Sequence, residues 1–209
     1  MAYAREKSVT NATLFLLHLH RHFHEYGISL SGSVIQTDNG TEFTAPWNSR
    51  KVTACTQVVE KGMGATHHLI PPGAKTYQSD VESFHRLVEE DLYTVESFGS
   101  EKEFLRKAAL YQAKFNCTRR NSYKGDTPLN LVRETYPGLP AEALVCIPVI
   151  LNNLLVQYKD ELVQWAKVGP GVRCVFTFHQ VHYMKILWRG TAFLFGTLVG
   201  TRKIRGKRR

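Results

Sequence analysis

Two carboxylates in this 209-residue chain stand where their side chains could act together on a metal ion. Asp38 follows a short, partly β-branched run and precedes Asn39 and Gly40, so we predict a strand that ends in a tight Asn-Gly turn. Glu82 lies in the first turn of a predicted helix that follows Pro-Pro-Gly at 71–73. Magnesium prefers one or two carboxylates together with phosphate and water oxygens. The pair therefore predicts phosphoryl transfer on a nucleic acid.

Each of these carboxylates also has a purely structural interpretation. Ser79 stands three residues before Glu82, so the two could form a capping box at the start of the helix. Asp38 could simply support the Asn-Gly bend that follows it. These roles do not compete with metal binding, because a cap or a turn bond would also fix the orientation of the carboxylate.

Helix and strand signals alternate along the first part of the chain, which predicts an α/β domain that extends to about residue 136. Strands are expected at 33–37 and 65–70. Helices are expected at 8–26, at about 49–61 and from about 81 to near Gly99. A further helix is expected to begin at Ser100, which with Glu103 forms a capping box. Another is expected to begin at Thr127, the N-cap, with Pro128 as its first residue. Apolar stripes on two of these helices are Val81, Phe84, Val88, Leu92 and Val95, and Phe104, Ala108, Tyr111 and Phe115.

The pattern changes after residue 136. We predict a helical connector at 137–170. At 171–200 aromatic and polar residues alternate between glycines, which indicates a candidate small β-module. The remaining residues, 201–209, form a basic tail.

The net charge of +9 suits a polyanionic partner such as DNA. Arg119, Arg120 and Lys124 stand beside Tyr123 in a predicted loop, a combination that suits phosphate contact and base stacking; a plain solvated loop is the alternative. A second basic group could bind DNA or be only a solvated tail. It supplies six charges in the last eight residues: Arg202, Lys203, Arg205, Lys207, Arg208 and Arg209.

Histidines form two further groups. Four of them make two pairs spaced four residues apart, which could bind zinc from a helix face or belong to a helix that is partly buried and partly solvated: His18, His20, His22 and His24. No third ligand is evident near either pair, which favours the partly buried helix. His67 and His68, on the second predicted strand, are expected to be packing or cleft residues.

Composition excludes several other classes of protein. No run approaches the 18 or so apolar residues of a membrane span, and charges at Arg5, Glu6 and Lys7 stand where a signal peptide needs an apolar stretch. The four cysteines lie about thirty or more residues apart and form no Cys-x-x-Cys pair. We therefore expect a cytoplasmic, nucleoid-associated protein in a reducing environment, with no membrane partner.

Two segments, taken in order, resemble a known family. Residues 35–43, Ile-Gln-Thr-Asp-Asn-Gly-Thr-Glu-Phe, and 81–86, Val-Glu-Ser-Phe-His-Arg, are similar to the catalytic core of the DDE transposases and retroviral-type integrases, especially the bacterial insertion-sequence branch. The resemblance covers about 2–136 and includes 121–128. It implies an RNase H-like mixed sheet flanked by helices, in which three carboxylates bind two Mg²⁺ or Mn²⁺ ions. It also implies in-line attack of water or a DNA 3′-hydroxyl on a phosphodiester.

The resemblance assigns catalytic and metal-binding roles residue by residue. Asp38 is similar to the family's second aspartate, and Glu82 is similar to its glutamate. Arg86 lies one helical turn beyond Glu82, where it could meet a substrate phosphate. The structural companions of the first motif are Asn39, Gly40 and Glu42.

Two departures from the family pattern alter these expectations. Asp38 and Glu82 are separated by 43 residues, more than this branch usually has, so we expect an insertion within 44–50 or 73–78. No aspartate precedes Asp38, and neither Glu6 nor Glu25 stands where it could replace the family's first catalytic aspartate. We therefore expect a truncated core that lacks its first strands, binds metal weakly and is inactive alone. Its central sheet would have an unpaired edge, which invites aggregation or pairing with another copy.

The resemblance thus implies DNA transposition or integration, with the element ends and the target DNA as substrates. A homo-oligomer, or association with a full-length transposase, is the expected assembly. The alternative is a remnant that is not catalytic, and that binds DNA or interferes with a full-length transposase by joining its oligomer.

Overall fold

The computed structural model describes residues 1–44, 52–71, 73–74, 79–122, 124–166, 184–188, 191–193 and 198–200, a mixed α/β arrangement that confirms the predicted class. The strands are β1 (Ala2–Ala4), β2 (Val34–Thr37), β3 (Thr66–Leu69), β4 (Val149–Ile150), β5 (Met184–Trp188), β6 (Thr191–Phe193) and β7 (Leu198–Gly200). The helices are α1 (Val9–Glu25), α2 (Ala54–Gln57), α3 (Ser79–Val88), α4 (Glu101–Cys117), α5 (Pro128–Thr135), α6 (Leu151–Leu154) and α7 (Lys159–Ala166). The π-helical turns Val58–Gly62 and Glu89–Tyr93 continue α2 and α3, and a 3₁₀ turn covers Ala141–Leu144.

Local signals place three of the helices as predicted. The Ser8 hydroxyl accepts a hydrogen bond from the Asn11 amide and caps the start of α1. The Ser100 hydroxyl caps α4 in the same way, and Thr127 caps α5 with Pro128 as its first residue. These caps satisfy amide groups that have no partner inside the helix. The Ser100 half of the predicted capping box on α4 is confirmed, whereas the Glu103 carboxylate accepts from the amide one residue earlier, that of Gly99 at 2.9 Å.

Two boundaries differ from the predictions. The second helix begins at Ala54 rather than near 49, because Thr53 is extended and its hydroxyl accepts the amide hydrogen bond from Thr56; residues 49–51 lie outside the described ranges. The apolar stripe predicted for α3 and the π-helical turn after it is confirmed at Val88 and Leu92, which are buried. Its extension to Val95 is wrong, since that residue follows the π-helical turn and its side chain is 72% exposed.

A four-stranded sheet in the order β3-β2-β5-β6 contains the candidate carboxylate strand. β2 and β3 are parallel, with Ile35 opposite His67 and Thr37 opposite Leu69. On its other side β2 pairs antiparallel with β5, where Thr37 is opposite Met184. β2 is therefore an interior strand whose second neighbour comes from a segment remote in sequence, and β3 and β6 are the outer strands of this sheet among the described residues. The pairing of a sheet edge with another copy stays a prediction. A smaller parallel sheet has the order β4-β1-β7.

The main hydrophobic core surrounds α1. Leu14, Leu16 and Leu19 of this helix are almost completely buried. Residues from the segment after 137 join the same core, namely Leu151, Tyr158 and Leu162. A second cluster packs α3 against α4 and β1; its buried members are Met1, Tyr3, Val88, Leu92, Phe104, Ala108, Tyr111 and Ile150. Segment 137–166 thus contributes to the core beneath α1, while the predicted domain boundaries stay predictions.

The described helices include none with both the length and the apolar character needed to cross a membrane.

Candidate functional site

Asp38 lies directly after β2 and is half-buried. Its carboxylate atom Oδ1 accepts a hydrogen bond from the Gly40 amide at 2.9 Å, and the Gly40 carbonyl in turn accepts from the amides of Phe43 and Thr44. The turn-supporting role that the sequence predicts for Asp38 is therefore confirmed. The same bond fixes the direction of the carboxylate at the end of the strand.

The carboxyl ends of β2 and β3 are joined side by side. The Ile70 amide donates to the Thr37 carbonyl at 2.9 Å, and the side-chain amide of Asn39 donates to the Ile70 carbonyl at 2.6 Å. Asn39 thus ties the turn after Asp38 to the segment that leaves β3. That segment leads along the chain to α3, so Asp38 and the segment that approaches α3 both start from one edge of the sheet.

Glu82 lies in the first turn of α3 with its side chain exposed, whereas the preceding Val81 is buried. The helix therefore exposes Glu82 to solvent, while Val81 packs into the protein interior. Arg86, one turn further, lies 3.7 Å from Glu90 in an exposed ion pair. The predicted capping box with Ser79 rests on a side chain outside the described residues.

Glu42 forms a buried ion pair that the sequence did not predict. Its side chain is 0% exposed, and its Oε2 atom lies 3.0 Å from Nζ of Lys7, which is 24% exposed. Gly40 leaves room for this carboxylate, because a Cβ atom there would lie 2.5 Å from Glu42 Oε1. Three of the motif's residues are thus explained by packing: Asp38 shapes the turn, Gly40 avoids a clash, and Glu42 anchors the turn to the segment after β1.

His67 connects α2, β3 and the end of β2 through hydroxyl groups. Its Nδ1 atom lies 2.8 Å from the Thr56 hydroxyl, and its Nε2 atom lies 2.9 Å from the Thr37 hydroxyl. The Thr37 hydroxyl donates to the Asp38 carbonyl at 3.1 Å, so it must accept from an Nε2–H group of His67. Burial, together with the neighbouring His68, lowers the pKa of His67 and favours this neutral ring. The histidine therefore supports the backbone beneath Asp38, as a packing residue of the predicted kind.

The basic loop after α4 is only partly available to a ligand. Arg119 forms an ion pair with Asp91, and its guanidinium lies 5.9 Å from the centre of the Phe115 ring. Arg120 and Lys124 are exposed. The predicted stacking residue Tyr123 and the basic tail from Arg202 to Arg209 lie outside the described residues.

The histidines of α1 follow the mixed pattern that the sequence favoured. Nδ1 of His18 lies 3.2 Å from the Tyr158 hydroxyl, and Nε2 of His22 lies 2.9 Å from the Ala143 carbonyl. The rings of His20 and His24 lie beside each other, 6.4 Å between centres. Across the described ranges, no three or more His, Cys, Asp or Glu side chains are grouped so that they could hold a metal ion.

Two features escaped the sequence reasoning: Lys7 as the partner of Glu42, and the hydroxyl contacts of His67. Neither has a sequence signal, because each joins residues that meet only when separate elements pack together. The chain matches no protein-family model, no curated protein and no solved structure. The carboxylates of Asp38 and Glu82 carry oxygen donors of the kind that Mg²⁺ prefers.

Proposed function

We propose that this chain is an RNase H-like catalytic core of the DDE transposase and integrase family. One observation carries the proposal: Asp38 follows a central strand, its parallel neighbour ends at the same edge, and the chain then enters a helix that exposes Glu82 in its first turn. Ligands of open α/β sheets bind beyond the carboxyl ends of the strands, and this order of elements would bring both carboxylates toward that edge. A mixed sheet alone would support many functions, so the paired motifs give the proposal its specificity.

The residues of the chain have distinct roles in this proposal. Asp38 and Glu82 would hold Mg²⁺ or Mn²⁺, which when bound supplies positive charge for phosphodiester chemistry on DNA. The Gly40 amide keeps the carboxylate of Asp38 oriented. Arg120 and Lys124 are exposed and would contact DNA phosphates, while Arg119 is engaged by Asp91 and would contribute less.

We propose that residues 1–209 are inactive by themselves. Family chemistry uses three carboxylates, and no aspartate precedes Asp38 in this sequence. Two carboxylates leave the metal more weakly bound and the developing negative charge less stabilised. A third carboxylate supplied by an added upstream strand would then restore phosphoryl transfer.

The second candidate function is a DNA-binding or interfering module without catalysis. The net charge of +9 and the exposed side chains of Arg120 and Lys124 favour it. Both functions predict DNA binding, so affinity alone does not separate them. Metal-dependent strand cleavage after addition of a strand bearing an aspartate does.

Plasmid nicking tests the proposal without knowledge of the element ends. The 209-residue chain is incubated with supercoiled DNA and Mn²⁺ or Mg²⁺, in parallel with a chain that carries an added upstream strand with an aspartate. We expect nicking only by the extended chain. Asp38→Asn or Glu82→Gln should abolish it, whereas Glu60→Gln, at an exposed glutamate on the π-helical turn after α2, should not.

The possible results separate the parts of the proposal. Robust nicking by the 209-residue chain would contradict the proposed inactivity. If Asp38→Asn abolishes that nicking, the proposed site is still supported. Nicking that survives both carboxylate substitutions would contradict the site itself. DNA binding without nicking by any extended chain would favour the second candidate.

A further inference from the structure

Helix α1 carries two histidine pairs, and the structure uses them differently. Both nitrogens of His18 have contacts, Nδ1 with the Tyr158 hydroxyl and Nε2 with Sγ of Cys146 at 3.7 Å, and Nε2 of His22 faces the Ala143 carbonyl. Among the described residues, neither His20 nor His24 has a hydrogen-bond partner. His24 is exposed and His20 is half-buried, so this second pair lies at the surface of α1.

The spacing of four residues places the side chains of His20 and His24 on one face of the helix, one turn apart. Their ring centres are 6.4 Å apart with the planes inclined at 52°. An imidazole nitrogen binds Zn²⁺ at about 2.0–2.1 Å, so a metal ion between the rings needs only a modest inward rotation of the two side chains.

We propose that His20 and His24 form a two-histidine site for a late first-row divalent metal ion, with water completing the coordination. Imidazole suits Cu²⁺, Ni²⁺ and Zn²⁺, and affinity at a given nitrogen site rises to a maximum at Cu²⁺. Cu²⁺ therefore binds more tightly than Zn²⁺. The site is separate from Asp38 and Glu82 and is independent of the function proposed above.

The inference is tested by titrating the full 209-residue chain with Cu²⁺, and then with Zn²⁺, in a buffer that does not chelate metals. Electron paramagnetic resonance should show two equatorial nitrogens on a single Cu²⁺ ion. His20→Asn and His24→Asn should each weaken binding by about 100-fold, because the second ligand acts at the high effective concentration set by the helix. His68→Asn, at an exposed histidine of β3, is the matched control and should leave binding unchanged.

A second variant separates spacing from histidine number. Combining His24→Asn with Lys102→His, at an exposed position of α4, keeps the number of histidines but removes the pair with His20 from α1. We expect this double variant to bind as weakly as His24→Asn, and circular dichroism should show an intact helical signal. Unchanged Cu²⁺ affinity in His20→Asn or His24→Asn, or full affinity in the double variant, would overturn the proposal.

Discussion

Substitution of Lys7 should destabilise the protein far more than loss of an ordinary surface charge. Lys7→Met leaves the carboxylate of Glu42 buried without the ammonium 3.0 Å from it, at a side chain that is 0% exposed. Breaking a buried ion pair in this way costs about 3–5 kcal/mol of unfolding free energy. Glu42→Gln should cost less, about 1–3 kcal/mol, because the partly exposed Lys7 can still reach water.

Urea denaturation at neutral pH measures these changes, and a double-mutant cycle isolates the pair. The combined variant Lys7→Met with Glu42→Gln should lose less stability than the sum of the single variants. Arg86→Met is the control, because its partner Glu90 lies 3.7 Å away and both side chains are more than half exposed. That change should cost less than about 1 kcal/mol. A Lys7→Met variant no less stable than the Arg86→Met variant would refute the reasoning.

Three further predictions concern a glycine, the partly buried His85 and the basic loop. Gly40→Ala should destabilise by about 1–3 kcal/mol in urea denaturation because its Cβ would clash with a buried carboxylate, whereas Gly138→Ala, where nothing lies within 4 Å, should not. Burial lowers the pKa of His85 to about 4, against about 6.5 for a histidine in an unfolded chain. The stability contributed by neutral His85 should therefore be present above about pH 6.5 and be lost as the pH falls through about 4. The NMR signal of its ring should titrate with an inflection near pH 4, and an inflection near 6.5 would contradict its partial burial. Arg120→Gln and Lys124→Gln should each reduce the slope of log affinity for DNA against log salt by about 1; unchanged slopes would exclude them from the interface.

Local sequence signals predicted most of the helices and strands in the first 136 residues. Caps such as Ser8, Ser100 and Thr127 act within three residues of themselves, so their effect can be recognised from sequence. The same holds for the turn-forming role of Asp38, whose partner Gly40 is two residues away. The start of α2 differs from the prediction because the sequence analysis did not identify Thr53 as its N-cap.

Long-range packing was not predictable in the same way. β5 pairs with β2 from a segment almost 150 residues away in the chain, and no local sequence pattern predicts that pairing. Lys7 and Glu42 meet for the same reason, because one follows β1 and the other follows the turn after β2. The proposed pairing of Asp38 with Glu82 would belong to the same class, and its sequence signal is the resemblance of the two motifs to one family.

Whether Asp38 and Glu82 share a divalent ion is tested most directly by adding Mn²⁺ to the isotope-labelled chain and recording NMR spectra. Paramagnetic broadening should begin together at the amides of residues 38–40 and 81–83. It should be lost from both segments in Asp38→Asn and in Glu82→Gln, and persist in the control Asp160→Asn, at an exposed aspartate of α7. Broadening of only one segment, or broadening that either substitution leaves unchanged, would contradict a shared metal site.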